Sequence, residues 1–193
     1  KYLKAHNNKV AMELLRQRIN NPKINTIQSK VYGTMEELQN DLDSINYPVV
    51  VKTFSGAMSK GVAKADNKRQ LISVAKKFMR SSHIWHDAKE ILRKIKYRNS
   101  YVQESFYRKK VIVQNMIPNM NNDWKILIYG NKAFVLYRGT RDNDFRASGS
   151  GKFEFRKDLP AGMLDLALEI KESFDVSHIS LDIGFDGKDF HLI

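Results

Sequence analysis

Cysteine is absent from the 193 residues. That removes disulfides, thiolate metal ligands and a cysteine nucleophile, and it suits a reducing compartment, so a cytoplasmic setting is the expectation. No apolar run approaches the roughly 20 residues a bilayer crossing needs, and no basic, apolar and small-residue succession marks a signal peptide. A membrane is therefore not among the expected partners. Histidine is scarce, and the five present lack metal-ligand spacing: His83 and His86 could share a helix face, but packing or surface roles account for them. No Ser, His and Asp set stands out. Repeats of 20 to 50 residues and low-complexity tracts are missing too, which excludes solenoids and arrays.

What is abundant is positive charge, with a formal net of +12 and 42% hydrophobic residues to supply a core. Most of the excess sits between Lys68 and Lys110, where 13 Lys or Arg face only Asp87, Glu90 and Glu104. Trp85, Tyr97, Tyr101, Phe106 and Tyr107 are interleaved with these cations. One reading is a solvated helical face whose aromatics turn into the core. Another is a nucleic-acid-binding module that pairs phosphates and stacks bases. The same field would steer an acidic substrate or nucleotide.

The most informative stretch is YPVVVKTFSGAMSKGV, Tyr47 to Val62. Val49 to Val51 suit a buried strand, with Pro48 confined to its start. Lys52 emerges at the strand's end, and Gly56 and Gly61 follow among small or polar residues, so backbone N–H groups could close around an oxyanion. A Walker loop is excluded because Lys60 precedes Gly61 and not Ser or Thr. Protein kinases set their glycine loop before the strand lysine and carry catalytic-loop and DFG signatures that are missing here. A lysine leaving a strand for water, followed by a mobile Gly/Ser turn, remains the plainer account of the stretch taken alone.

Along the chain, apolar spacing predicts a helix over Asn8 to Ile19. A strand over Thr26 to Tyr32 precedes a helix opened by Thr34 with Glu37 at capping-box distance. Helices are expected over Asn67 to Met79 and His86 to Tyr97, the latter with Ala88, Ile91, Leu92 and Ile95 on one side. Tyr101 to Phe106, Lys110 to Gln114, Asp123 to Tyr129 and Ala133 to Arg138 look like strands, with Asn131 near a hairpin turn and Asn115 to Asn122 a loop. Pro160 to Phe174 returns to helix, and Val176 to Ile183 pairs with Phe190 to Ile193 across a turn at Asp186 to Lys188. Strands and helices do not alternate strictly, so the fold class expected is α+β with largely antiparallel sheets, not a doubly wound parallel sheet.

Taken in order, NNKVAMELL, YPVVVKTFSGAMSKGV, VIVQNMIPNMNNDWKILIYG, RGTRDNDFR and SLDIGFDGKDFHLI resemble the nucleotide-binding portion of the ATP-grasp superfamily, in particular the branch of glutathione synthetase and the ribosomal-protein glutamate ligases. The resemblance implies two α+β subdomains gripping a nucleotide between them: a lead-in at 1–46, a smaller lid subdomain at 47–113 and a larger subdomain at 114–193. It implies that Lys9 and Lys52 contact the phosphates and that the loop Thr53 to Val62, with Gly56 and Gly61, closes over them and excludes water. The adenine hinge would be Gln114, Asn115, Met116 and Ile117, where Asn115 stands in the place of the family's acid and Met116 in that of its aromatic. Asp123 would help to bind nucleotide.

By the same resemblance Arg138 and Arg146 would hold the substrate carboxylate and the transferring phosphoryl group, for which planar bidentate donors are suited. The turn after Arg146 departs from the family pattern, reading Ala147, Ser148 and Gly149. Asp182 would be the first acidic ligand of Mg2+, or of Mn2+, and its partner glutamate would fall just after Ile193. The chain starts at Lys1 and stops within an expected strand, so a longer parent with a preceding substrate domain is expected. The implied activity is ATP-dependent ligation of a carboxylate to an amine, or to a thiol, through an acyl phosphate. A nucleotide-binding scaffold without turnover and the nucleic-acid module are the rival expectations.

Overall fold

The computed structural model describes residues 5, 7–24, 27–56, 61–81, 83–118, 120, 122–141 and 144–193. The expected strand start at Thr26, residues 57–60 of the glycine loop, and Asn119 and Asn121 of the loop at 115–122 lie outside the described residues. The chain divides into two compact units. One comprises the chain start through Val10, Ser29–Gly56 and Gly61–Asn115; the other comprises Ala11–Gln28 and Met116–Ile193.

The first unit is built on an antiparallel sheet of order β1-β4-β2-β3: β1 (Ser29–Tyr32), β4 (Val111–Asn115), β2 (Val49–Thr53) and β3 (Val62–Ala65). Alternate residues of β2 and β4 form its core: Val49, Val51, Val111 and Val113 are buried with Leu38, Leu71, Ala75 and Met79, the period-2 pattern of a strand meeting the 3.6 period of the helices. Those helices are α2 (Met35–Asp41) and α3 (Lys68–Met79). Thr34 Oγ1 accepts a hydrogen bond from Glu37 N at 3.1 Å, and Glu37 Oε2 accepts one from Gly33 N at 2.9 Å, so the expected box reaches back one residue further than Thr34. Asn67 caps α3 by accepting from Gln70 N at 3.0 Å.

The second unit holds a five-stranded antiparallel sheet of order β7-β6-β5-β8-β9: β7 (Phe153–Phe155), β6 (Lys132–Gly139), β5 (Asn122–Tyr129), β8 (His178–Phe185) and β9 (Phe190–Leu192). Helix α5 (Met163–Phe174) covers one face, packing Met163, Leu166, Ala167 and Ile170 against Trp124, Ile126, Leu181 and Ile183. Strand alternation then turns Asp123, Lys125, Arg138 and Asp182 to the opposite face. Helix α1 (Lys9–Arg16) supplies residues to both units. No helix among the described residues is long and apolar enough to cross a membrane.

Two expectations are corrected, and two further features were not expected. Tyr101 to Phe106 forms no strand: Glu90 accepts from Tyr101 OH at 2.6 Å and from Glu104 N at 3.1 Å, so the segment is tied down by a side chain and not by a ladder. Strands β3 and β7, short and lying at sheet edges, carry no clear sequence signal. Helix α5 starts at Met163 and not at Pro160, because Gly162 adopts a left-handed φ of 83° and Met163 N closes a turn onto Pro160 O. Finally, α4 (Ile84–Tyr97) buries Asp87 and Glu90 and exposes Ile91, Leu92 and Ile95, so the apolar side read from the spacing faces away from the core.

Candidate functional site

In the first unit, Lys52 sits on β2 opposite Ile112 of β4 and Val62 of β3, directly after the fully buried Val51. Two residues further on, Phe54 O accepts a hydrogen bond from Lys9 N at 2.8 Å. This bond ties the first turn of α1 to the exit of β2 and brings both lysines to the same end of that strand. Burial lowers the pKa of Lys9 from its usual value, a charge whose desolvation an anion would relieve.

The described ends of the glycine loop require glycine. Gly56 has φ 113° and Gly61 φ 75°, conformations that a side chain disfavours. Gly61 also leaves no room: a Cβ there would strike the Thr53 side chain, because Thr53 N donates to Gly61 O at 2.8 Å and Thr53 Oγ1 donates to Ser55 O at 2.6 Å. Gln114 and Asn115 end β4, Gln114 buried and Asn115 half-buried, and the chain leaves the sheet at the half-buried Met116 and Ile117. The divide between the units falls between Asn115 and Met116.

In the second unit the sheet face opposite α5 gathers a charge cluster. Asp123 and Arg138 are cross-strand neighbours, and Arg138 Nε donates to Asp123 Oδ1 at 2.5 Å. Arg138 Nη2 lies 3.0 Å from Asp182 Oδ1 but out of hydrogen-bonding alignment, so this buried nitrogen has no aligned acceptor among the described residues. Lys125 Nζ reaches the same Asp182 oxygen at 3.4 Å. Burial raises the Asp123 pKa, with Arg138 opposing. Burial disfavours the Arg138 cation, but the two carboxylates outweigh it and leave its pKa raised. A buried arginine with an N–H that no described acceptor takes, beside a lysine and on the sheet face opposite α5, can receive an oxyanion.

Three of the residues anticipated from sequence, Asp123, Arg138 and Asp182, thus come together. Lys125 joins them unanticipated, although its offset of two from Asp123 was the signal. Arg146 has a different main partner: its Nε lies 2.9 Å from both Asp144 oxygens and its Nη2 2.5 Å from Oδ2. That contact holds the Asp144 carboxyl below its ordinary pKa. Asp186 closes the β8–β9 turn by accepting from Lys188 N and Asp189 N at 2.9 and 2.8 Å, and it pairs with buried His191 at 2.8 Å, the turn role its sequence context indicates.

No protein-family model matches the sequence. No curated protein is similar to it by sequence search. Among solved structures, a D-alanine–D-alanine ligase from Bacillus anthracis complexed with ATP is similar at TM-score 0.61 and 16% identity over 96% of this chain and 53% of that one. An L-amino acid ligase from Bacillus licheniformis gives TM-score 0.61 at 13% identity, covering 98% of this chain and 42% of that. A RiPP-associated ATP-grasp ligase from Chryseobacterium gregarium, in complex with ADP and a leader and core peptide, gives 0.58 at 12% identity, with 98% and 51% covered. The chain has the ATP-grasp fold. It spans about half the length of these structures.

An ATP-grasp fold implies a magnesium ion, and the described residues do not by themselves fit one. They contain no group of three or more metal-ligating side chains, and Asp182 directs Oδ1 at the cations of Lys125 and Arg138. Hard divalent ions need several oxygen ligands, and here a single carboxylate oxygen is shared between two cationic side chains.

Proposed function

We propose that this ATP-grasp chain is the nucleotide-binding part of an ATP-dependent ligase that joins a carboxylate to an amine, or to a thiol. The observation that carries this reading is the charge cluster of Asp123, Lys125, Arg138 and Asp182 on the face of the second sheet opposite α5.

A carboxylate oxygen attacks the γ-phosphorus of ATP, the bond to the bridging oxygen breaks, and ADP leaves with the electron pair. The amine nitrogen then attacks the acyl carbon, phosphate departs with its bonding pair, and the nitrogen gives up a proton. Nothing here needs a covalent enzyme nucleophile, only alignment and neutralisation of charge. Lys9 and Lys52 would offset the phosphates, Arg138 the transferring group, and Arg146 would orient the acyl substrate. Gln114 to Ile117 would present backbone groups to adenine with Met116 against its face. The loop bounded by Gly56 and Gly61 would keep water from the acyl phosphate. Magnesium enters the proposal only as a companion of the triphosphate, because the described residues, Asp182 among them, do not make a site for it.

The test is ADP release with ATP, magnesium, hydroxylamine as a general amine and a panel of 18O-labelled carboxylates. Hydroxamate formation with label passing to phosphate supports the reading. ATP binding without carboxylate-dependent phosphate release would favour a scaffold that does not turn over, and absence of ATP binding would reject both.

A further inference from the structure

Helix α4 is amphipathic in the wrong sense for a core helix. Its inward side carries two carboxylates. Asp87, 5% exposed, accepts from Arg108 Nη2 at 2.7 Å and lies 3.3 Å from Arg80 Nη2. Glu90, fully buried, takes the Tyr101 hydroxyl, Glu104 N and Arg93 Nη1 at 2.6, 3.1 and 2.7 Å. Buried acids stay charged only with such partners, and this pair of anchors fixes the helix's rotation. The outward side is apolar by consequence: Ile84 is 76% exposed, Trp85 85%, Leu92 65% and Ile95 67%.

At 3.6 residues per turn, Ile84, Ile91, Leu92 and Ile95 lie along one arc about 17 Å long. Lys89, Arg93 and Lys96 run beside it on one flank, past Trp85; on the other flank, toward Asp87, Lys94 spends its ammonium on Arg98 O and Tyr101 O, both at 3.2 Å. A cluster of exposed large apolar side chains of this kind marks an interaction surface.

The chemistry of this surface selects among occupants. A second copy would bring its own Lys89, Arg93 and Lys96 against these and be repelled. Nucleic acid would find cations and the rings of Trp85 and Tyr97, but along the arc itself only aliphatic side chains where successive bases need stacking faces. Tyr101 and Phe106 are not free for stacking, the first bonded to Glu90 and the second lying under the Arg80 guanidinium at 4.8 Å. An anionic bilayer is the same in every in-plane direction and draws no advantage from a one-sided row of charge. A polypeptide segment with an apolar row beside an acidic row matches both features in one register.

We propose that the outward face of α4 is a docking surface for an acidic amphipathic segment of a partner polypeptide, with Ile84, Leu92 and Ile95 contacting its apolar row and Lys89 and Lys96 its carboxylates. The proposal does not depend on nucleotide binding.

Trp85 reports the event, since Trp124 is buried in the second unit's core. The full chain is titrated with a synthetic helical peptide carrying leucines at i, i+3, i+4 and i+7 and glutamates along one flank. Parallel arms use the same peptide with lysine for glutamate, vesicles of phosphatidylcholine and phosphatidylserine, and an oligothymidylate. Saturable binding with a blue shift of Trp85 emission is expected for the acidic peptide. Leu92→Ser should weaken it about thirtyfold. Lys89→Glu with Lys96→Glu should weaken it about tenfold and transfer preference to the lysine peptide. These positions are exposed, and unchanged circular dichroism shows that the variants fold. The proposal is overturned by no binding of the acidic peptide, by equal binding of both peptides, by tighter binding of vesicles or oligonucleotide, or by light scattering that shows self-association covering Trp85.

Discussion

Arg138 sits between two carboxylates with one N–H that no described acceptor takes. Replacing it with Met leaves buried Asp123 without its cation while Asp182 keeps Lys125, a loss on the order of 3–5 kcal/mol for the buried Asp123 pair, and should also abolish ATP-dependent turnover. Arg138→Lys keeps a charge but loses the planar fork, so chemical denaturation should find it closer to the parent while turnover stays low. Equal turnover in Arg138→Lys and the parent would remove the arginine from the proposed reaction. The carboxyls should titrate in a definite order. Burial raises Asp123, whereas Arg146 lowers Asp144. Carbon-detected NMR should find Asp123 protonating first as pH falls. Asp144 contributes stability above its unfolded pKa that is lost on acidification; Asp123, with its raised folded pKa, contributes the opposite sign, its cost growing as pH rises through its own range. At Gly61, φ of 75° and the crowding Thr53 side chain make Gly61→Ala destabilising by about 1–3 kcal/mol, read as a lower denaturation midpoint. Both roles of these residues were partly visible in sequence: Lys125 lies two positions from Asp123 on one strand face, and Asp144 two from Arg146.

At the scale of elements, α4 gives the sharpest pH signature. Glu90 is held down to about 2 by the Tyr101 hydroxyl, the Glu104 amide and Arg93. A depressed carboxyl stabilises above its unfolded pKa, near 4.5, and the contribution fades as pH falls toward about 2. Glu90→Gln should therefore melt below the parent at pH 7, with the gap closing across that window; a gap independent of pH would mean that the charge is not what anchors the helix. The same helix marks where reading from sequence ends. Its existence follows from spacing, but its rotation depends on Arg108 and Tyr101, which lie beyond its own end and have no periodic relation to it. Elements whose packing is local were legible: Asn67 and Thr34 announce their helices, and the alternation in Asp123 to Tyr129 announces β5. Strands β3 and β7 were not, because three or four residues at a sheet edge, β7 exposed throughout, leave no burial pattern.

At the scale of the molecule, nucleotide binding should appear as mass-action stabilisation. ATP at about 100 times its dissociation constant adds about 2.7 kcal/mol, which for a chain of this size raises the melting temperature by roughly 5–10 °C. Lys52→Ala should cut that rise at fixed ATP; an undiminished shift would take Lys52 out of the phosphate site. The α+β architecture and its antiparallel sheets follow from the order of elements. The charge cluster follows only in part: Asp123 and Arg138 meet across the β5–β6 hairpin, but Asp182 joins them from β8, after β7 and α5 have intervened.

Because α4 is anchored through acids, its outward aliphatic side chains contribute little to the folding of the unit beneath them. Such a surface is free to vary: substitutions there alter what the protein associates with while the sheets and their lysines and arginines stay as they are. Recognition and chemistry could then change on separate schedules in descendants of this chain, one written on a single exterior helix and the other on strands that cannot shift without losing the fold.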